Sequence, residues 1–159
     1  MKGLKRSVLR SITAAMVRRY QRTGGRKSGS ARGLPILLLT IAGRRTGVSH
    51  TVPVCYIELD DALLIAGSAG GAKQEPQWFK NLRVAAGANV QRGDEHFAVE
   101  VSIPGGGERA ALWDHVLDRA PFFADYERKA GRTIPLALLR PVPAIIPSRE
   151  ETRSGQPQC

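Results

Sequence analysis

Between Leu34 and Gly67 three apolar runs of strand length follow one another with only turns between them. Leu34 to Ile41 reads LPILLLTI and stops at the Ala42-Gly43 turn; Thr51 to Leu59 and Ala62 to Gly67 follow, joined by a hairpin turn at Asp60-Asp61. Parallel neighbours need a crossover of roughly a dozen residues or more, and these spacings leave no room for one. The sheet is therefore expected to be antiparallel. Further on, a short strand is expected near Asn89 to Gln91. Phe97, Val99, Val101 and Ile103 then alternate with Ala98, Glu100 and Ser102, the pattern of a half-buried antiparallel strand. A last strand is expected over Ile134 to Ile146, with Pro141 and Pro143 confining part of it to an edge or bulge. Helices are expected at Glu75 to Ala85, with Pro76 in the first turn, and at Glu108 to Arg119 and Pro121 to Ala130. The fold class is α+β, a mainly antiparallel sheet curled into a barrel with helices filling its gaps.

The chain has 159 residues, enough for one domain and too few for separate cofactor and substrate domains. A site must then be a groove on that domain or lie between two copies, which makes a homodimer an expectation. Three segments are distinguished: a basic helix and linker over 1–33, the barrel over 34–147, and a disordered tail over 148–159. Charge separates the first from the second. Residues 1–32 carry Lys2, Lys5, Arg6, Arg10, Arg18, Arg19, Arg22, Arg26, Lys27 and Arg32 and no acid, so they account for the whole net charge of +10. Nucleic-acid binding is not expected, because the basic residues are not on the folded body and only Tyr20 accompanies them. Leu4, Val8, Ile12, Met16 and Tyr20 recur every four residues, one face of a helix from about Lys2 to Arg22. That stripe either packs on the body or lies on an anionic membrane surface; the lack of acids favours the membrane, through residues 1–22. The Thr23 to Gly33 linker reads as mobile.

Cys55 and Cys159 are too few for a disulfide framework, and a reducing, cytoplasmic setting is the default, at the inner face of the cell membrane if the helix touches it. His50, His96 and His115 have no ligand-type neighbours at metal spacing, so no metal is expected. The sequence also lacks a stretch approaching the roughly 20 apolar residues of a spanning helix.

Two stretches carry the chemistry. GRRTG, Gly43 to Gly47, puts Arg44 and Arg45 in a turn between strands, where guanidinium forks reach phosphate or carboxylate, although arginines in such turns are commonly only solvated. SAGGAKQEPQWFKNL, Ser68 to Leu82, runs from a loop that permits close backbone approach into a helix whose N-terminus favours an anion. Of Trp78 and Phe79, one is expected in the core and the other to wall a ring system. Nowhere in the sequence does a Ser/His/Asp or Cys/His arrangement, a carboxylate pair or a P-loop stand out.

In order and spacing, TIAGRRTG, VPVCYI, GSAGGAKQEPQWFKNLRV and DYERKAGRTIPLALLRP resemble the deazaflavin-dependent nitroreductase family, actinobacterial split β-barrel proteins that use coenzyme F420. The resemblance covers about Pro35 to Pro141. It implies that Arg44, Arg45 and Thr46 hold the phosphate and glutamate tail, that Pro53, Val54 and Cys55 line the ring, and that Ser68, Gly70, Gly71, Trp78 and Asn81 belong to the loop and helix beside it. Ala69 and His50 occupy cofactor-site positions where many relatives carry basic residues, which places more of the tail on Arg44 and Arg45. Tyr126 matches a tyrosine closing over the substrate, and Tyr126 or Ser68 is the candidate to hydrogen-bond the acceptor. Ala120 and Phe123 stand in place of tyrosines, so efficient reduction of bicyclic nitro compounds is not expected. The implied activity is hydride transfer from reduced F420 to a quinone, enone or nitro compound, with menaquinone as the lipid-soluble candidate. The alternatives are FMN as cofactor in the same fold, or a non-catalytic protein that binds a cofactor or lipid.

Overall fold

The computed structural model describes the backbone of residues 2–143 and the side chains of residues 10–143. The expected disordered tail and the end of the expected last strand lie outside these residues, as do the side chains of Leu4 and Val8. Among the described residues seven strands and four α-helices follow one another: α1 (Lys2–Thr23), β1 (Ser30–Ala31), β2 (Leu34–Ala42), β3 (Ser49–Glu58), β4 (Leu63–Ala66), α2 (Gln77–Val84), β5 (Gly87–Arg92), β6 (Glu95–Ser102), α3 (Gly106–Arg119), α4 (Phe123–Ala130) and β7 (Leu136–Pro141). The strand order is β1-β2-β3-β4-β7-β6-β5, and β2 also pairs with β5, as in Leu38 opposite Gln91. That pairing closes β2 to β7 into a six-stranded barrel, antiparallel throughout.

Alternation along each strand sorts the side chains into an interior and an exterior. Leu37, Leu39 and Ile41 of β2, Val54 and Tyr56 of β3, Val90, Val99 and Leu139 fill the interior, with Phe79 and Leu82 of α2 plugging one end. On the outside, Leu34, Ile57, Leu64 and Leu138 form a second apolar layer under Trp113 and Val116 of α3 and Phe123 of α4. A third, smaller cluster joins Tyr20 of α1 to Ile36 and Leu38, with Met16 and Val17 against it.

The C-terminal half of α1 is thus packed on the barrel. Tyr20 is buried, its hydroxyl donates to the Ile36 carbonyl at 2.9 Å and accepts from the Gly93 N–H at 2.9 Å. Ile12, on the same stripe, stays 60% exposed. After Thr23 the segment to Gly33 forms turns and the short β1, tied by hydrogen bonds from Gly25 N–H to Tyr20 O and from Ile36 N–H to Gly29 O.

Several boundaries differ by a few residues from the pattern-based expectation. Pro76 precedes α2, with extended ψ of 149°, and its carbonyl accepts from Phe79 and Lys80. Helix α3 begins two residues earlier than its first charged residue, since Gly106 and Gly107 supply its first turn. β7 ends at Pro141, opposite Val99, and one residue further on Val142 N–H still donates to Ala98 O at 2.9 Å.

Candidate functional site

β3 is paired with β2 from Ser49 to Cys55 on one side, but β4 covers only Tyr56 to Glu58 on the other. The chain leaves the sheet after Ala66, so the Ser49 to Cys55 half of β3 has no β4 partner and its edge on that side is open. Alternation turns the side chains of Thr51, Pro53 and Cys55 outward and Val54 inward to the core. Ile36 N–H bonds Gly29 rather than its partner Cys55, which by the same alternation points the backbone groups of Thr51, Pro53 and Cys55 to the open side. An exposed run of backbone donors and acceptors in a groove can read the polar edge of a planar heterocycle.

At one end of this edge lies the GRRTG turn. Gly43 N–H donates to Val48 O and Gly47 N–H to Gly43 O, both at 2.8 Å, while the Thr46 hydroxyl accepts from Val48 N–H. A Cβ at Gly43 would lie 2.9 Å from that hydroxyl, so glycine is required there. Thr46 is a turn-forming residue in this geometry. Arg44 reaches across to α2: its backbone N–H and its Nη1 both donate to Asn81 Oδ1, the latter at 2.8 Å, and Nη2 donates to Gln77 Oε1 at 2.9 Å. Both acceptors are neutral amides. They orient the guanidinium without cancelling its charge, and among the described residues neither Arg44 nor Arg45 enters an ion pair. His50, exposed on β3, sits beside the turn with Cδ2 3.6 Å from where a Gly43 Cβ would be.

At the other end is the Ser68 to Gly71 loop. Ser68 is in the right-handed region, and Ala69, Gly70 and Gly71 follow with φ of 46°, 63° and 84°. Within this 3₁₀ turn Gly71 N–H donates to Ser68 O at 2.9 Å and Ala72 N–H to Ala69 O at 3.2 Å. Arg132 fastens the loop: Nε donates to Ala72 O at 3.1 Å and Nη2 to Gly67 O at 3.1 Å, with Ser68 O and Gln74 O at 3.4 Å. Gly71 abuts α4, since a Cβ there would lie 3.1 Å from Tyr126 O. The Tyr126 ring stands edge-on to Phe122 and Phe123, with the Arg32 guanidinium 5.3 Å from its centroid.

Of the paired aromatics, Phe79 is the core residue and Trp78 the half-exposed one, 5.4 Å from it in an edge contact. Asn81 is buried, and its Oδ1 accepts from Arg44 and so positions the turn. Ala120 and Phe123 are buried in the layer under α3 and α4. Burial raises the Cys55 thiol above its ordinary value, so it stays protonated, and its Sγ faces Ala31 O at 3.9 Å. Arg132 and Gln77 were not singled out in the sequence. The one signal for Arg132 is its place directly after Gly131, in the stretch that matches the late family motif. Two grooves of about 420 and 430 Å³ lie elsewhere, one over Thr40, Asn89 and Gln91, the other beside Tyr20 and Arg92. Thr51 lines the first, which runs up to the outer face of β3.

A closed antiparallel barrel with one open strand edge, flanked by a cationic turn and a glycine-rich loop, defines a split-barrel oxidoreductase. The family model for F420H(2)-dependent quinone reductase matches residues 13–141, and the chain belongs to that family. It is an F420-dependent reductase, with the deazaflavin F420 as its cofactor. The F420H(2)-dependent quinone reductase Rv1261c of Mycobacterium tuberculosis is 31% identical over 124 residues, 76% of this chain and 83% of that protein. A second protein of that organism, provisionally named for the same activity, is 30% identical over 114 residues, 72% of this chain and 96% of its own. The solved structure of an F420-H2 dependent reductase, FDR-A, superposes with a TM-score of 0.60 at 28% identity, over 67% of this chain and 94% of that one. Among the described residues no helix is long and apolar enough to cross a membrane.

Proposed function

We propose that the groove along the open edge of β3 holds F420 with its phosphate and glutamate tail at Arg44 and Arg45 and its ring between Pro53, Cys55, Trp78 and the Ser68 to Gly71 loop. The observation that carries this reading is the way Arg44 is held. Two amide oxygens fix its fork and leave a full positive charge facing outward, the arrangement that binds phosphate in a defined orientation. Val54 supports the platform from the core, Thr46 and Asn81 hold the turn, and His50 and Ala69 flank the tail and ring ends.

Reduced F420 supplies a hydride from C5 of its ring, so the protein needs no strong acid or base of its own. The chain's residues orient the cofactor, exclude water from the β3 face and donate to the acceptor oxygen as it becomes negative. Tyr126 and Ser68 are the donors nearest the ring end of the groove. The acceptor is a quinone, with conjugated carbonyl and nitro compounds as lesser substrates. A lipid-soluble quinone such as menaquinone suits α1, whose Arg10, Arg18, Arg19 and Arg22 are exposed around Ile12 and can rest on an anionic surface.

The test is titration of the full chain with F420, followed by fluorescence, for the wild type and for Arg44→Ala/Arg45→Ala. Loss of two charge-assisted contacts is expected to weaken binding about a hundredfold or more. Unchanged affinity in the double variant would remove these residues from the site, and tighter binding of FMN than of F420 to the wild type would replace the cofactor assignment.

A further inference from the structure

The tight turn between β1 and β2 holds an arginine where the backbone favours something else. Ala31 pairs with Leu34, leaving Arg32 and Gly33 as a two-residue hairpin loop with φ of 51° and 80°. Positive φ at both positions is the type I′ requirement, met at lowest cost by Asn, Asp or Gly at the first of them. An arginine there is strained, and strain that persists at a single position invites a functional explanation. Its side chain supplies one. The guanidinium lies 5.0 Å from the Phe122 ring centroid and 5.3 Å from that of Tyr126, and among the described residues no carboxylate pairs with it. Residues on either side bring this hairpin to the groove, since Ala31 O meets Cys55 Sγ and Tyr126 backs onto Gly71.

We propose that Arg32 is a specificity-determining residue that makes the acceptor end of the groove cationic and favours acceptors whose oxygen carries negative charge. This rests on the proposed placement of the cofactor ring over β3. A quinone that takes a hydride, with its electron pair, from reduced F420 becomes a hydroquinone monoanion, and one proton from water then gives the neutral hydroquinone. The unpaired guanidinium, stacked on two aromatic faces and so held in place, lowers the energy of that anion before it is protonated. An acceptor already anionic in its ground state meets the same charge on binding.

The experiment compares two naphthoquinones, the anion of 2-hydroxy-1,4-naphthoquinone at neutral pH and neutral menadione. Binding to the full chain is read by quenching of tryptophan fluorescence, apart from turnover. Arg32→Asn suits the turn better than arginine, so its melting temperature is expected to equal or exceed that of the wild type. It is expected to lose roughly fivefold in affinity for the anion and little for menadione. Arg32→Lys, which keeps the charge, is expected to restore most of the difference, and Arg32→Gln reads the same contrast if the asparagine variant is unstable. Equal losses for both quinones, or none, would overturn the proposal. F420 affinity measured on the same variants separates this outcome from failure of the groove itself: it is expected to be unchanged, and a wild type that does not bind F420 would overturn the cofactor placement on which Arg32 depends.

Discussion

Helix α2 fixes two arginines by opposite means, one from its own outward face and one from the turn across the groove. Arg83, on the helix, forks onto the Glu75 carboxylate with contacts of 2.6 to 3.1 Å and lies over the Phe79 ring. Its charge is cancelled where it stands, and its work is to brace the start of α2. Arg44 is fixed as firmly by Asn81 and Gln77 but with no charge to oppose its own. The same contrast divides the rest of the molecule. Arg92 is paired with Glu58 and Glu95 at the opposite end of the barrel, and Arg109 with Glu127 between α3 and α4, whereas Arg132 at the groove is met by carbonyls alone. An arginine held by neutral oxygens keeps its charge uncompensated, whereas one held by a carboxylate has it cancelled where it stands.

The most direct way to break the contrast is to give Arg44 the partner that Arg83 has. Asn81→Asp keeps the shape and adds the charge; F420 affinity by fluorescence titration is expected to fall by about 2–3 kcal/mol, with thermal stability little changed. A smaller effect is expected from Arg132→Lys. An ammonium cannot span the Gly67, Ser68, Ala72 and Gln74 carbonyls as the planar fork does, and a loosened loop should weaken F420 by roughly tenfold, with faster amide exchange over 68–72. The least effect belongs to the reverse swap, Glu75→Gln. Its hydrogen bond with Arg83 holds the Glu75 carboxyl below its ordinary value. The pair therefore stabilises the fold fully above the unfolded value of 4.5 and loses that contribution as pH falls below it toward the folded value. Glu75→Gln is expected to cost less than about 1 kcal/mol at neutral pH, flatten that acid limb in urea titrations, and leave F420 affinity alone.

How far the sequence already disclosed this arrangement depends on how local each feature is. Strand alternation in Phe97 to Ile103 and the apolar run at Leu34 to Ile41 are written in neighbouring residues, and both became barrel strands. The antiparallel class followed from the short connections alone. A barrel was expected as well; the particular pairing that closes it, β2 with β5 across about fifty residues, is one that no pattern in either strand announces. The site divides in the same way. Arg44 and the Ser68 to Gly71 loop were legible as motifs, since a glycine-bounded turn and a run of small residues are local signals. The hydrogen bonds that orient them were not: Asn81 Oδ1 accepts from Arg44, and Arg132 acts from more than sixty positions downstream of the loop it fastens. Nor does helical periodicity at Met16 and Tyr20 say which surface will cover the stripe; the Tyr20 hydroxyl between Ile36 and Gly93 settles it for that end.

The open half of β3 has one more consequence. A bare strand edge is a template on which another chain can add itself, and most folded proteins blunt such edges. Pro53 lies in the middle of the bare stretch, opposite Leu38 on the paired side, and has no N–H to offer. An incoming strand would find a gap in its ladder at the centre, while a flat ring, which needs only a few contacts at chosen points, loses nothing. One residue thus makes the open edge a poor template for an added strand while leaving its other backbone groups exposed.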